Sequence, residues 1–599
     1  MSKRIAILLV LFVAFAFVPQ YKAQGQIEVV PTFESLGIST TLGKDVNYRE
    51  VGGDWRKAYD LWFDSRESEY RGSIVGLAPG TEYEIEINGQ NTFASTWSED
   101  FPIKETIQIY DGNGFTVNQS GSETGYVLYD GPATLSNCES QCITIPDGIH
   151  HVIIRNLTIQ GGRFGIRLYG ASDIVIENND ISGWSSGYDY DGAIYSKSTE
   201  LTRVVVQRNK IHDPSHGANN WSSGHPTGPQ GIVFWNSSGN HVFRYNEIYS
   251  NNGNWYNDGM GAGDNFSQLG FPGANTDIYG NYIAQYWDDA IEAEGGGENV
   301  RIWGNYLGEG FCKVGTAQVS IGPMYVFRNV SEGGKRSPNE LNSGGFIKTS
   351  DGGGRLFLFH NTALDFDGFK LNNGVGWGGV IDNVYSRNNI WNVSATAVYY
   401  RSGSVDGDFD NDLYYPRNLP TDIEPNGIKA EPVIGFAGLV DMTGDFSLSP
   451  GSPGVGAAVM LPNFSNGLDI GAMQTGDNPM QFGINAYLGN DVVTPVPPTD
   501  TPAPPTATPI PPTATPASGC VQVVWDKGTV TQGLNIRPSA SMFNAPDGRS
   551  YLGPGFVFEP IAKTVTWEGT FYQVTYPSGW VAGNLTWNSD IYAIEVGCP

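Results

Sequence analysis

Through the middle of the chain, short runs of β-branched and aromatic residues end on an Asn, followed one residue later by an apolar position. The phrase reads IVIENNDI (Asn179), VVVQRNKI (Asn209), HVFRYNEI (Asn246), DIYGNYI (Asn281) and VRIWGNYL (Asn305). It continues as YVFRNV (Asn329), LFLFHNTAL (Asn361) and VYSRNNI (Asn388), and VIIRNLTI (Asn156) opens the series slightly off register. Steps run from 24 residues (Asn281 to Asn305) to 37 (Asn209 to Asn246). A second short strand follows each phrase: GIRLYG, GAIYSK, GIVFWN, GMGAGD, AIEAEG, GFIKTS, GFKLNN, AVYYRS. One strand plus turns cannot bury its own apolar face, so such units stack on one another as a solenoid. Two or three short strands per turn predict a right-handed parallel β-helix over residues 106–490. The recurring Asn is expected to form a stacked ladder of turn amides that satisfies backbone groups at a tight corner.

The flanks have different patterns. VNYREVGGDWRKAY (46–59) and YRGSIVGLAPGTEYEIEI (70–87) alternate polar and apolar residues around a Pro-Gly turn. The Leu-x-Pro-Gly-Thr-x-Tyr run resembles a fibronectin type III sandwich over residues 27–105, which implies a spacer or platform without chemistry. TPVPPTDTPAPPTATPIPPTATPASG (494–519) is a Pro/Thr tract that favours extended polyproline II and acts as a linker. After it, GLNIRPSAS (533–541) and GWVAGN (579–584) resemble bacterial SH3-like domains, covering residues 520–599. That resemblance implies binding of a cell-wall polymer or peptide; a structural cap is the other reading. The fold class is therefore all-β: a right-handed parallel β-helix flanked by a β-sandwich and a small SH3-like β-barrel. The segment Asp445–Gln474 resembles the way many secreted β-helix proteins finish. The resemblance to that fold class implies an enzyme acting on polysaccharides.

Composition narrows the partners. The chain of 599 residues holds 78 Gly and carries a formal net charge of −28, which disfavours nucleic acid because phosphate binding needs a basic patch. Lys3 and Arg4 precede an apolar run from Ile5 to Val18. Residues 1–23 thus read as a secretory signal peptide, with a secreted, extracellular or cell-surface protein as the expectation and no later membrane span. Of five cysteines, Cys520 and Cys598 bracket the last module and Cys138 and Cys142 could close a small loop, a usage that suits export. Cys312 is left as a buried apolar residue.

One stretch concentrates charge: WDDAIEAE, from Trp287 to Glu294. In stacked coils equivalent residues lie about 4.8 Å apart, and the register sets Asp258 of NDGMGAGD one coil before Asp289. With Ile291 inward, Glu292 and Glu294 are expected on the solvent side, with Asp264 overhanging them. Gly261 and Gly263 on one side, and Val314-Gly315-Thr316 on the other, leave room above. Loops holding His225, Trp221 and Trp255 flank the place, and Trp221, Trp235, Trp255 and Trp287 are available to stack on sugar faces.

Two chemistries fit these residues. In a lyase, Asp258, Asp288, Asp289, Glu292 and Glu294 supply oxygens to Ca²⁺, and a Lys of lowered pKa, Lys348 or Lys313, removes a proton. The Asp, then Asp-Asp-x-x-acid, then Lys order resembles the calcium-and-lysine pectate lyases. The departure lies in the spacing, with Lys348 two coils beyond the Asp-Asp coil and Lys313 out of clear register. In an inverting hydrolase, Asp258, Asp288 and Asp289 act as acid and base, in a coil order that resembles polygalacturonases. Their Gly-His-Gly and the Arg before Ile-Lys are absent here, and His225 would substitute only if its loop folds over. A non-catalytic glycan-binding adhesin with a structural Ca²⁺ site is the third reading. An extracellular polysaccharide is the expected partner in all three.

Overall fold

In the computed structural model, residues 25–488 are described except 366–368, 417–422 and 436–437, together with the strand backbone within 520–599. The signal peptide, the linker and the Cys520–Cys598 pairing fall outside the described residues.

Each solenoid coil contributes up to three strands, and like strands stack in parallel across coils into three ladders. One coil runs Asp277–Tyr279, Tyr282–Ile283, Asp289–Glu292, and the next Val300–Trp303, Tyr306–Leu307, Cys312–Thr316. The third ladder is an eleven-stranded parallel sheet. In it Ile143, Ile166, Ile194, Ile232, Met260, Ile291, Val314, Ile347, Val375 and Val398 stand in register, one above another. All ten belong to one buried core. Strand period two puts each following residue on the opposite face, so Thr144, Arg167, Tyr195, Val233, Gly261, Glu292, Gly315 and Lys348 form the opposite row, in which Val233 is itself buried with the core residues. This row carries the site. Stacked in parallel, coil upon coil, these ladders form a right-handed parallel β-helix.

The Asn ladder exists. Each Nδ2 donates to the next Oδ1 from Asn179 through Asn209, Asn246, Asn281, Asn305, Asn329 and Asn361 at 2.8–3.1 Å. It then continues to Asn389 rather than Asn388 and ends on Asp412. The backbone explains the correction. The residue before each ladder Asn turns the corner at positive φ, as Asn178 (52°), Arg208 (55°) and Tyr245 (56°) do. In the Asn388-Asn389 pair, Asn388 (64°) takes that corner, and its amide bonds Val459 O instead. Asn156 (61°) likewise turns a corner and bonds Asp130, outside the ladder. Left-handed backbone costs Asn less than most residues, which is why Asn occupies both roles.

Before the solenoid, two four-stranded antiparallel sheets form a sandwich from Ile27 to Ser95 around Leu36, Ile38, Tyr83 and Ile85. The Tyr83 hydroxyl accepts the Ala78 N–H at 2.9 Å, pinning the turn whose Gly80 sits at φ +63°. The solenoid starts slightly earlier than expected, since Ile103–Gln108 already pairs in parallel with Tyr126–Leu135. The sandwich docks on the first ladder: Thr32 donates to Asp277 at 2.5 Å, and Asp277 accepts from Arg301 at 2.5 Å. A returning C-terminal segment covers the outside of the coils, with Phe464 packed on Tyr325, Phe327 and Phe359. Cys138 and Cys142 are bridged and Cys312 is a buried free thiol. Within 520–599, the strands pair antiparallel, as in the meander Ala562–Thr566, Gly569–Thr575, Ser578–Leu585.

Candidate active site

The outer row of the third ladder places Glu292 beside Gly261 on one coil and Gly315 on the next, and Lys348 beyond Gly315. Neither glycine is needed for its backbone angle. A Cβ on Gly261 would sit 2.6 Å from Glu292 Oε2, and one on Gly315 would sit 2.7 Å from Asp289 Oδ2. The glycines therefore make the volume in which carboxylates fold down against the sheet. Asp258, Asp288, Asp289, Glu292 and Glu294 are all buried. The expected outward, solvated Glu292 and Glu294 are corrected accordingly: small neighbours and the overlying loops enclose them.

Register between Asp258 and Asp289 is as the sequence implied, and the Asp289 N–H donates to Asp258 Oδ1 at 2.9 Å. Asp258 Oδ2 accepts from Gln230 (2.7 Å) and Asn257 (2.8 Å), so it is held from the preceding coil and from its own loop. Glu292 accepts from Asn265 at 3.1 Å and from the Ala262 N–H at 3.3 Å. One oxygen each of Asp258, Asp289 and Glu292 lie within 4.8 Å of one another. Asp289 Oδ1 is buried and finds no N–H or O–H donor; the Cys312 thiol is its neighbour.

Lys348 crosses the gap that Gly315 leaves. Its Nζ lies 2.5 Å from Asp289 Oδ2 and 2.7 Å from Glu294 Oε1. Lys348 stands two coils beyond the Asp-Asp coil, as the spacing implied, with the Cys312–Thr316 strand between them. Its pKa runs opposite to the sequence expectation. Burial acts to lower it, but the carboxylates of Asp289, Glu294, Asp288 and Glu292 outweigh burial and hold it well above the usual lysine range. On the acids, burial is the main cause of upward shifts, reinforced by like charge. Asp288 is raised to about 6, with Asp289 as the charged neighbour, and Glu294 to about 7 despite Lys348. Asp258 and Glu292 are both raised well above the ordinary carboxylate range.

The His225 loop does fold over: Nε2 lies 3.3 Å from Asp288 Oδ2, with the ring mostly exposed. Trp221 packs on His225 (4.8 Å between ring centres) and Phe311 (4.9 Å). Trp255 and Trp287 stack on each other at 4.2 Å, so their facing sides are spent on this pair. Trp235 contacts Tyr190 at 4.8 Å. Two residues stand elsewhere. Lys313 is fully buried and donates to the carbonyls of Gly308, Gly310 and Gly333; burial pushes its pKa down to about 7, but it cannot touch substrate there. Asp264 accepts from the Asn236 N–H instead of joining the cluster. Sequence reasoning missed Gln230, Asn257, Tyr190 and Trp377. Gln230 was available from register, one coil before Asp258; Trp377 pairs with Lys348 only across a bulge.

Five carboxylates against one ammonium, all-oxygen donors, an orphaned buried Oδ1 and a glycine-made cradle fit a hard divalent cation such as Ca²⁺. Asp258, Asp289 and Glu292 are the residues placed to hold it.

Comparison with a family model supports the architecture. Residues 143–320 match the family model described as a right handed beta helix region. Among solved structures, the pectate lyase Pel9A aligns over 63% of this chain and 91% of its own, at 15% identity and a TM-score of 0.36. The Dettilon tailspike protein gp208 aligns over 49% and 61%, at 14% identity and 0.31. A pectate lyase variant from Xanthomonas campestris aligns over 51% and 82%, at 13% identity and 0.27. No curated protein matches by sequence search.

Proposed function

We propose that the chain is a secreted, calcium-dependent polysaccharide lyase acting on a uronate-containing extracellular polymer. The observation that carries this reading is the placement of Lys348 across Gly315 against Asp289 and Glu294, beside the oxygen cluster of Asp258, Asp289 and Glu292. Ca²⁺ held by Asp258, Asp289 and Glu292 would supply positive charge that offsets the uronate carboxylate and acidifies the adjacent C5–H. Lys348 then takes the C5 proton, the C5–H electron pair forms the C4=C5 double bond, and the C4–O bond breaks with its electrons on the leaving oxygen. Water or protonated His225, at the exposed rim, returns a proton to that oxygen. Lys348 must be neutral to act. A cation held by Asp258, Asp289 and Glu292 would offset the carboxylate charge that keeps Lys348 protonated, which would couple the ligand set to the base. Gln230 and Asn257 orient Asp258 through its second oxygen.

Inverting hydrolysis is the second reading, favoured by the Asp288–His225 pair at the solvent edge. The clustered oxygens argue against Asp258 and Asp289 as its acid and base, since one oxygen of each lies within 4.8 Å and an inverting pair stands roughly 6.5–9.5 Å apart to leave room for an attacking water. Product analysis separates the two. Incubation with polyuronates yields unsaturated ends in the lyase case; new reducing ends without unsaturation would establish the hydrolase. If neither forms, and Asp289→Asn leaves glycan binding unchanged, both fail. The C-terminal strands are proposed to carry a cell-wall-binding module, tested by pull-down of the full chain and of a chain truncated at 493 with insoluble wall polymer.

A further inference from the structure

The outer row of the third ladder continues beyond the carboxylates toward the amino-terminal coils, and its chemistry changes there. Four coil steps separate Glu292 from Arg167, through Gly261, Val233 and Tyr195. At about 4.8 Å per step this spans about 19 Å, the reach of several sugar units. In a chain of net charge −28, this stretch gathers cations interleaved with rings. The Arg167 guanidinium lies over Tyr169 (4.8 Å), Phe164 (5.3 Å) and Tyr195 (5.7 Å) and makes no ion pair among the described residues. Arg163 lies over Phe164 and Tyr188 and is neutralised by the buried Asp191. Phe164 and Tyr195 stack at 4.3 Å.

Continuity with the candidate active site comes from the next residues. Lys197 lies 4.3 Å over the Trp235 ring, and Trp235 meets Tyr190 at 4.8 Å. Gly263 lets both rings approach: a Cβ there would stand 2.4 Å from Tyr190 and 2.7 Å from Trp235. The Tyr190 hydroxyl in turn feels the charges of Glu292 and Asp258. Tyr188 and Lys197 are exposed, while Arg167, Tyr195, Tyr190 and Trp235 are half-buried. The backbones of Arg167, Tyr195, Lys197 and Trp235 are fixed by parallel ladder pairing, so these side chains are presented from a rigid surface.

We propose that this strip binds the portion of an anionic polysaccharide on the amino-terminal side of the carboxylates, with Arg167 and Lys197 pairing with uronate carboxylates and Tyr195 and Trp235 packing on sugar faces. A guanidinium already held over rings has N–H groups left for a carboxylate, at little further entropy cost. Aromatic faces with cations between them match a polymer of apolar sugar faces and repeating charges. The inference rests on the uronate reading of the site and deepens it, because it makes affinity depend on chain length and on charge.

The test is calorimetric titration of oligouronides from dimer to octamer, with Ca²⁺, into the full-length Lys348→Gln chain and into the same chain carrying Arg167→Gln and Lys197→Gln. The substitution at Lys348 prevents consumption of the oligomers, and melting curves verify folding of both. The expected result is an octamer-to-dimer affinity ratio about tenfold lower when the strip cations are removed. With Lys348 intact, the strip substitutions should raise KM for polymer with little change in kcat. An unchanged ratio overturns the strip alone. Equal losses for neutral oligosaccharides overturn charge recognition. Absence of binding by any oligouronide overturns the lyase reading itself, and the strip with it.

Discussion

Lys348 Nζ lies 2.5 Å from Asp289 Oδ2, although 59 residues separate them and a whole coil passes between. Gly315 is the reason: it is the residue in register between their coils, and any side chain there would occupy the space the ammonium crosses.

Gly315→Ala should therefore disable the site without touching a charged group. Its Cβ would stand 2.7 Å from Asp289 Oδ2 and 2.8 Å from Glu294 Oε1, an overpacking worth about 1–3 kcal/mol. The expected outcome is a folded protein with a lowered melting temperature and weakened Ca²⁺ affinity, measured by titration. Wild-type Ca²⁺ affinity in this variant would remove the cradle argument.

Cation stabilisation should grow with pH. Asp288 and Glu294 have folded-state pKa values raised to about 6 and about 7, against about 4 when unfolded. Their share of stability is present below about pH 4 and is lost as pH rises through 6 to 7. Above that window Asp288 and Glu294 are charged, so Ca²⁺ has more negative charge to offset. The melting temperature gained on adding Ca²⁺ should be larger at about pH 8 than at about pH 5; an equal gain at both would contradict the site.

Two buried histidines work in the opposite direction. Burial pushes His241 and His360 down to about 3, from about 6.5 unfolded. Each contributes stability that is present above about pH 6.5 and is lost as pH falls toward about 3. His360 also fastens the returning C-terminal segment through Ser465 (2.8 Å) and Gly471 O (3.2 Å). His360→Gln should flatten the acid limb of a stability–pH curve, and an unchanged limb would show that His360 does not cause it.

The ladder supplies a structural prediction. Asn281 donates to Asn305, Phe243 O and Tyr279 O, and accepts from Asn246. Its removal strands buried polar groups on three coils, so Asn281→Ala should cost about 3 kcal/mol or more in chemical denaturation. Asn389→Ala should behave similarly at the ladder's end.

Much of this was legible in the chain. The Asn phrase gave the solenoid because coil stacking forces like residues into like positions, and it set Asp258 beside Asp289. What misled was local. Asn388 and Asn389 look alike in the phrase, and only backbone handedness separates corner from ladder. Glu292 and Glu294 looked solvated because alternation assigns a face but does not reveal the loops above it. Lys348 is two coils away, as the spacing implied, but coil counting does not show that its side chain reaches back over Gly315 to Asp289. Gln230 and Tyr190 reach the carboxylates from other coils, a proximity no local pattern encodes.

The measurement that tests the central claim most directly follows formation of unsaturated uronide ends on a polyuronate, for the native chain and Lys348→Gln, with Ca²⁺ and with chelator. The site as built predicts rapid formation by the native chain, loss on chelation with recovery on added Ca²⁺, and a rate about a thousandfold lower for Lys348→Gln, whose Ca²⁺ titration still shows binding. Full activity of Lys348→Gln, or activity indifferent to chelation, would contradict it.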